Sequence, residues 1–319
     1  MPLDPDAAAV LAGMQQLGLP AMETLQPDEV RARTAAAAAL APGATVEVAS
    51  VVAQEIGGVP SLVVTPLGTG PFDVLVWFHG GGWVIGSAEE SLHTAKDLAA
   101  AGDLVVVLPD YRLAPEHPFP AASDDAVAVT RAVLEQAAAL GGPGARVAVG
   151  GDSAGGNLAA LAAFSVPGLA HQILAYPVLD ATMTHPSYER VATGYILTAP
   201  MMQWFVDLYV GDGDAKDPRV SPLHAPDDAL RRACPAHVVI AGYDPLADEG
   251  EAYAARLRAV GVPVTLARYN GQMHGFLTMG AMIPTGAAAL HESVGHLRQA
   301  LDGRPAGPGT RAGAGSVGV

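Results

Sequence analysis

One serine stands at the centre of a glycine-rich turn between an apolar run and an alanine-rich run. The turn is Gly151-Asp152-Ser153-Ala154-Gly155, inside the stretch VAVGGDSAGGNLAALAAF. It matches G-x-S-x-G, in which a sharp strand-to-helix turn exposes the serine hydroxyl. The glycines at both ends are needed because a Cβ at those positions would meet neighbouring backbone. The sequence therefore predicts that Ser153 is a nucleophile.

The same glycines permit a second interpretation, a phosphate-binding loop. Gly150 and Gly155 satisfy G-x-x-x-x-G, but Gly156 and Asn157 stand where such a loop requires lysine and serine or threonine. The turn also contains no G-x-G-x-x-G dinucleotide fingerprint. A nucleotide-dependent enzyme and a purely structural glycine turn remain as alternatives to a nucleophile.

A serine hydroxyl is a weak nucleophile, so a serine enzyme also needs a base and donors for the developing oxyanion. The stretch HGGGW, residues 79–83, follows a predicted strand, and its glycines leave backbone N–H groups free to face a substrate. We expect Gly80 and Gly81 to be donors, together with Ala154 at a helix N-terminus. His79 comes before the serine in the chain, so we expect it to organise this loop.

Two later segments supply an acid and a base in the chain order Ser…Asp…His. Asp244 directly follows a predicted strand in VVIAGYDPLADEG, whereas Asp248 falls in the first turn of the next predicted helix. We therefore prefer Asp244 as the acid that orients the imidazole. His274, in YNGQMHGFLTM after the last predicted strand, is expected to accept the proton. His291 and His296 fall in the terminal helix, where we expect them to face solvent.

Eight short apolar runs predict the strands that position these residues. From the third run onward, helical stretches separate most of them, which predicts an α/β fold with a mainly parallel sheet covered on both faces. Little lies between the first two runs, so the sheet is expected to begin antiparallel. The runs are 45–52, 59–66, 73–79, 104–110, 146–151, 171–177, 237–242 and 262–269, and the helical stretches include 123–140, 153–164 and 247–260.

Two segments fall outside this alternation. Residues 1–41 predict helices with a break near Pro27, and residues 182–226 are inserted between the sixth and seventh strands. The insertion carries an apolar stripe with two interpretations: it packs against the rest of the domain, or it lines a pocket. Both hold together if the insertion is a lid. At helical spacing, the stripe consists of Met201, Trp204, Phe205, Leu208 and Tyr209.

Composition excludes several classes of function. The chain has 319 residues and a net charge of −15, which argues against binding nucleic acid or an anionic membrane, since both need a basic face. No apolar run approaches the roughly 18 residues of a membrane span. The N-terminus has acids where a secretory signal has a basic region, and Cys234 is the only cysteine, so we expect a cytoplasmic protein without disulfides. Residues 303–319 predict a disordered tail.

The motifs HGGGW, GDSAGGN and DPLADEG, with HGF behind them, resemble the α/β-hydrolase fold, and within it the bacterial hormone-sensitive-lipase-like esterases. The shared stretch DYRLAPEHPFPAA resembles a structural motif in which Tyr111, Arg112 and Glu116 form a polar network bracing the loops. The match covers roughly residues 40 to 300. The resemblance implies an eight-stranded hydrolase domain over 42–302, and a cap built from residues 1–41 and the insertion 182–226.

The resemblance also implies the activity, a carboxylesterase without cofactor or metal that acts on small, short- to medium-chain acyl esters. It implies a possible homodimer along the last strand. We expect Ser153 to attack, His274 to act as base and then acid, and Asp244 to orient it. The hypothesised pocket residues are Trp83, Tyr195, Met201, Trp204, Phe205 and Leu208. An amidase, lactonase or peptidase with the same residues, and a ligand-binding protein on an inactive hydrolase fold, remain open.

Overall fold

Eight strands form one sheet in the computed structural model, which describes residues 2–40 and 46–302. The strands are β1 (Ser50–Ile56), β2 (Val59–Thr65), β3 (Asp73–Phe78), β4 (Leu104–Pro109), β5 (Val147–Asp152), β6 (Gln172–Ala175), β7 (Ala236–Tyr243) and β8 (Val264–Met273). Their order across the sheet is β1-β2-β4-β3-β5-β6-β7-β8. The β1–β2 and β2–β4 pairs are antiparallel and every other pair is parallel, which confirms the predicted α/β class and the antiparallel start.

The first strand differs from its prediction. It begins at Ser50 rather than at the start of the apolar run 45–52, and it continues to Ile56. The reason is a hairpin in which Ile56 pairs with Val59 across Gly57 and Gly58, both with positive φ. Two glycines between two β-branched runs are a hairpin signal, so the turn sets where the strand ends.

The helices occupy the predicted intervals with shifted ends. Two precede the sheet, and α2 begins at the predicted break, Pro27. The helices are α1 (Pro5–Gln16), α2 (Pro27–Leu40), α3 (Leu92–Gly102), α4 (Ala121–Glu135), α5 (Ala137–Leu140), α6 (Ala154–Ser165), α7 (Ser187–Arg190), α8 (Ala199–Tyr209), α9 (Asp227–Leu230), α10 (Ala247–Ala259) and α11 (Pro284–Asp302). The proposed domain boundary at 41 and 42 and the predicted tail 303–319 lie outside the described residues. Over the two described ranges, no helix is both long and apolar enough to cross a membrane.

Helices cover the sheet on both faces. Leu98 of α3 and Leu297 of α11 belong to the core on one face, while Val129 of α4 and Leu158 of α6 belong to the core on the other. The centre of the sheet is shielded from solvent, because the side chains of β4 from Leu104 to Leu108 are fully buried. Parallel strands run in the same direction and so end at the same edge of the sheet. The motifs that follow β3, β5, β7 and β8 meet at this edge.

The opposite end of the sheet holds a group of buried histidines. His171 precedes β6 and His237 lies in β7, and no ring nitrogen of either has a hydrogen-bond partner among the described residues. His296 of α11 stacks on His237, with ring centroids 4.4 Å apart, so it does not simply face solvent as expected from its place in the helix. His291 is exposed. Burial lowers the pKa of His171 to about 4 and that of His237 to about 3.

These shifts predict acid-sensitive stability. At a pH below about 6.5, the ordinary pKa of histidine, these two histidines bind protons in the unfolded chain but stay neutral in the folded chain. The unfolding free energy therefore falls as pH drops from about 6.5 toward the folded-state pKa, by about 2 kcal/mol per buried histidine at about pH 5. Urea unfolding at about pH 7 and 5 should show a smaller loss in His237→Gln than in the wild type. The exposed His117→Gln is the control, and an equal loss in all three proteins would contradict the prediction.

Candidate active site

Three side chains from distant segments meet at the edge where the parallel strands end. The hydroxyl of Ser153 lies 3.0 Å from His274 Nε2, and His274 Nδ1 lies 2.7 Å from Asp244 Oδ2. The other oxygen of Asp244 accepts the N–H of Leu246 at 2.9 Å. Ser153 and His274 are each 8% exposed and Asp244 is fully buried. The order hydroxyl, imidazole, carboxylate allows a proton to pass from the serine to a ring that the carboxylate orients.

The backbone at Ser153 is strained in the way a nucleophile elbow requires. Ser153 has φ 57° and ψ −120°, values that a residue with a side chain rarely adopts. A Cβ on Gly151 would lie 2.6 Å from the carbonyl oxygen of Phe78, and a Cβ on Gly155 would overlap that same carbonyl. Because β5 and the start of α6 press against the end of β3, the turn places Ser153 beside the loop that follows Phe78.

A methyl group at Gly155 should therefore damage the elbow. Gly155→Ala is expected to lower the unfolding free energy by about 3 kcal/mol, because backbone atoms have to move to admit the methyl group. Gly295→Ala is the matched control: it lies within α11, its Cβ would meet nothing within 4 Å, and the change should add about 1 kcal/mol instead. Urea unfolding of both variants checks the prediction. Equal stability of the two would show that Gly155 tolerates a side chain.

The glycine loop lies on the other side of Ser153. Gly80 and Gly81 line the same cavity as the serine, and Gly81 has φ 119°, which suits glycine. His79 Nδ1 donates to the Gly80 carbonyl at 2.7 Å, and the Tyr111 hydroxyl donates to the His79 carbonyl at 2.8 Å. His79 thus holds the loop from within. Ala154, the third expected donor, is buried at the first position of α6.

A cavity of about 390 Å³ opens at Ser153 and His274. Two of the expected pocket residues, Met201 and Phe205, line it. The cavity is also lined by residues of the N-terminal segment, and two of them lie in α2. Sequence reasoning does not identify these residues. These are Met22, Thr34 and Ala38.

The other four expected pocket residues lie elsewhere. Trp83, with φ 60°, is turned into the core, where it is fully buried and stacks on Tyr209 at 4.5 Å. Tyr195 packs on Tyr243 with ring centroids 5.0 Å apart. Trp204 and Leu208 pack against the core rather than line the cavity, because only one side of α8 faces it.

Two carboxylates in the cavity wall were also not singled out. Asp152 lies beside the glycine loop, since a Cβ on Gly80 would overlap its carboxylate. Burial, opposed in part by the nearby charge of His274, raises the pKa of Asp152 to about 6. Glu90 precedes α3 and contributes to the same wall. The elbow motif itself could have drawn attention to Asp152, whereas no local pattern marks Glu90.

The residues expected to form one polar network make separate contacts. Arg112 Nη2 lies 2.7 Å from Asp125 Oδ1 in α4. Glu116 accepts two hydrogen bonds from Arg31 of α2, which also donates to the Val84 carbonyl just beyond the glycine loop. The hydrogen bond from Arg31 lowers the pKa of Glu116 to about 2. Glu116 therefore ties the N-terminal segment to the loops around the site.

The acid loop is braced by α7. The Ser187 hydroxyl donates to the Pro245 carbonyl, next to Asp244 in the chain. Arg190 lies 2.7 Å from Asp248, the alternative acid. Asp248 is thus paired with α7, while Asp244 is the carboxylate that contacts His274.

Comparison with known proteins finds relatives over most of the chain. A family model described as the alpha/beta hydrolase fold matches residues 75–278. The chain is 40% identical over 258 residues to carboxylic ester hydrolase LipN of Mycobacterium tuberculosis, covering 77% of this chain and 68% of that protein. It is 36% identical to an ethyl acetate hydrolase of Pseudomonas putida, covering 94% and 100% of the two chains.

Solved structures show the same similarity. The crystal structure of a thermostable esterase from Pseudomonas putida superposes with a TM-score of 0.88 at 35% identity, covering 94% of this chain and 98% of that one. An esterase from the archaeon Pyrobaculum calidifontis gives a TM-score of 0.87 at 34% identity, covering 94% and 99%. The chain therefore belongs to the α/β-hydrolase family, in its hormone-sensitive-lipase-like group.

Proposed function

We propose that the protein is a serine carboxylesterase that cleaves short- to medium-chain acyl esters through an acyl-enzyme. The observation that carries the proposal is the hydrogen-bonded series of Ser153, His274 and Asp244 at one end of a cavity. The names of the relatives, carboxylic ester hydrolase and ethyl acetate hydrolase, support the same reaction.

Acylation begins when Ser153 Oγ attacks the ester carbonyl carbon and its proton moves to His274 Nε2. The negative charge that develops on the carbonyl oxygen is stabilised by the N–H groups of Gly81 and Ala154, whereas the N–H of Gly80, the other expected donor, is bonded to the Asp152 carboxylate. When the C–O bond breaks, His274 gives the proton to the departing alcohol.

Deacylation repeats these steps with water. His274 takes a proton from the attacking water, the tetrahedral intermediate forms in the same donor site, and the bond between Ser153 Oγ and the acyl carbon breaks. The proton returns to Ser153 and the carboxylic acid leaves. Asp244 stabilises the imidazolium each time it forms, because its buried carboxylate faces Nδ1–H.

The size and walls of the cavity favour small esters. Ligand cavities usually measure about 300–1,000 Å³, so one of about 390 Å³ is at the small end. Its walls combine apolar side chains from both segments outside the alternation, including Met22 and Phe205. These contacts support a cap made of residues 1–41 and 182–226 over a domain of 42–302.

The cytoplasmic location and the homodimer are further parts of the proposal. The single cysteine, which permits no internal disulfide, supports an intracellular environment. For the dimer, β8 is an outer strand of the sheet, and an outer strand presents unpaired backbone groups to a second copy.

A substrate panel tests the proposed reaction. We expect 4-nitrophenyl esters to be hydrolysed fastest with short acyl chains and to decline as the chain lengthens, since the cavity is small. Butyric 4-nitroanilide should react far more slowly than the butyrate ester. Absorbance of the released 4-nitrophenol or 4-nitroaniline measures both. Equal rates on the ester and the anilide would favour the amidase alternative, and no turnover of any ester would contradict the proposal.

A further inference from the structure

The cavity wall carries charge of one sign. Its lining contains two carboxylates, Glu90 and Asp152, and two histidines, His93 and His274, but neither lysine nor arginine within the described parts of the chain. His93 bonds the Thr278 carbonyl, and His274 is the proposed base, so these two rings are already engaged within the protein. The fixed charges facing a substrate are therefore negative.

Glu90 is the carboxylate of this wall that lies outside the nucleophile turn. Its side chain is half-buried and contacts Ser87 Oγ at 3.3 Å. Across residues 2–40 and 46–302, no arginine, lysine or histidine nitrogen lies within 4.0 Å of its oxygens. Arg31, on the helix that crosses the cavity, is instead bound to Glu116. The charge of Glu90 is thus not cancelled by an ion pair.

The remaining walls suit an alkylammonium group. Among the described residues they carry no further charge; they combine hydroxyl groups such as that of Thr34 with apolar side chains that include the ring of Phe205, which packs against Gly82. A quaternary ammonium ion is attracted both by a carboxylate and by the face of an aromatic ring. A carboxylate on the substrate would meet like charges and neither a lysine nor an arginine among the described lining residues.

We propose that Glu90 makes this cavity select esters by charge, favouring those with a cationic alkylammonium group over neutral isosteres and disfavouring those with a carboxylate. The inference rests on the proposed esterase function and names the substrate class of that site. Two unit charges about 10 Å apart at an effective dielectric constant of about 20 change binding by about tenfold. The same charge favours release of the product, because each turnover leaves a carboxylate in the cavity that Glu90 lines.

The experiment compares two esters of the same shape. Butyrylcholine and 3,3-dimethylbutyl butyrate differ in that trimethylammonium replaces a tert-butyl group. The measured quantity is the ratio of kcat/KM for the cationic ester to that for the neutral ester. Glu90→Gln should lower this ratio by about tenfold relative to the wild type.

Glu89→Gln is the matched control. It removes the same charge one residue away, but Glu89 is exposed and lines a different cavity, with Glu55 and Asp110. Its ratio should stay within about twofold of the wild type, since a solvated charge outside the site is screened. A second comparison uses ethyl hydrogen glutarate and ethyl 5-methylhexanoate, and here Glu90→Gln should raise the relative rate of the anionic ester.

Salt provides a test that needs no variant. The wild-type ratio for the cationic ester should fall several-fold between about 10 mM and about 500 mM salt. The inference is overturned if both esters are hydrolysed and Glu90→Gln shifts the ratio no more than Glu89→Gln does. If Glu90→Gln does not fold, a wild-type ratio independent of salt overturns it. Hydrolysis of the 4-nitrophenyl panel without hydrolysis of butyrylcholine or of its neutral isostere would overturn this inference alone, whereas no turnover of any ester would contradict the esterase function as well.

Discussion

Ser153→Ala is expected to lower kcat for 4-nitrophenyl butyrate by about a million-fold, to the level left by binding and the oxyanion donors alone. The hydroxyl within 3.0 Å of His274 Nε2 is the only atom of the series that can form the acyl bond. Without it no acyl-enzyme forms, although the cavity and the glycine loop remain. The release of 4-nitrophenol under single-turnover conditions measures the loss.

Ser165→Ala is the control for this variant. Ser165 ends α6, the helix that begins next to Ser153, but it does not line the cavity. It should therefore keep wild-type activity. Circular dichroism and urea unfolding should show that both variants stay folded. Hydrolysis by Ser153→Ala at near wild-type rate would contradict the proposed role of Ser153.

Asp244→Asn is expected to lower kcat by about 10⁴. In the wild-type protein, Asp244 Oδ2 accepts a hydrogen bond from His274 Nδ1–H, so Nε2 carries no proton and can accept the one from the serine. The amide of asparagine can donate to Nδ1 instead, which leaves the proton on Nε2 and makes the ring unable to act as base. The size of the loss is measured as kcat over a pH series, so that a shifted optimum is not mistaken for lost activity.

The adjacent acid gives the comparison for Asp244. Asp248→Asn removes the same charge four residues later, but Asp248 is paired with Arg190 on α7. Its activity should stay within about tenfold of the wild type, because the change reaches the site only through the loop. A larger loss in Asp248→Asn than in Asp244→Asn would reverse the assignment of the acid.

The convergence of Ser153, His274 and Asp244 could be predicted because each sits where a local pattern changes. Ser153 follows a β-branched run and opens a helix, while Asp244 and His274 follow the last two strands. Parallel strands end at one edge of their sheet, so residues placed after them converge without any knowledge of long-range packing. Strand pattern and turn chemistry were sufficient for this part of the site.

The pocket could not be predicted in the same way. Trp83 stands one residue beyond the glycines, yet a positive φ directs it into the core against Tyr209. Periodicity gives the apolar stripe of α8 but does not say which members of the stripe face the cavity. Only the packed structure separates Phe205, which lines it, from Trp204, which does not.

The N-terminal part of the wall depends on contacts between residues far apart in sequence. Arg31 reaches Glu116 and the Val84 carbonyl, and these bonds place α2 over the cavity. No local motif records such contacts. Local sequence does not predict the place of Glu90 in the wall either. Its neighbour Glu89 has the same side chain but lines a different cavity.

Covalent labelling with an alkyl fluorophosphonate tests the central claim most directly. The reagent phosphonylates a serine only where a base and oxyanion donors activate it. Peptide mass spectrometry of the labelled wild-type protein should place one adduct on Ser153, and both Ser153→Ala and His274→Ala should give none. An unlabelled wild-type protein, or an adduct on another serine, would contradict the account.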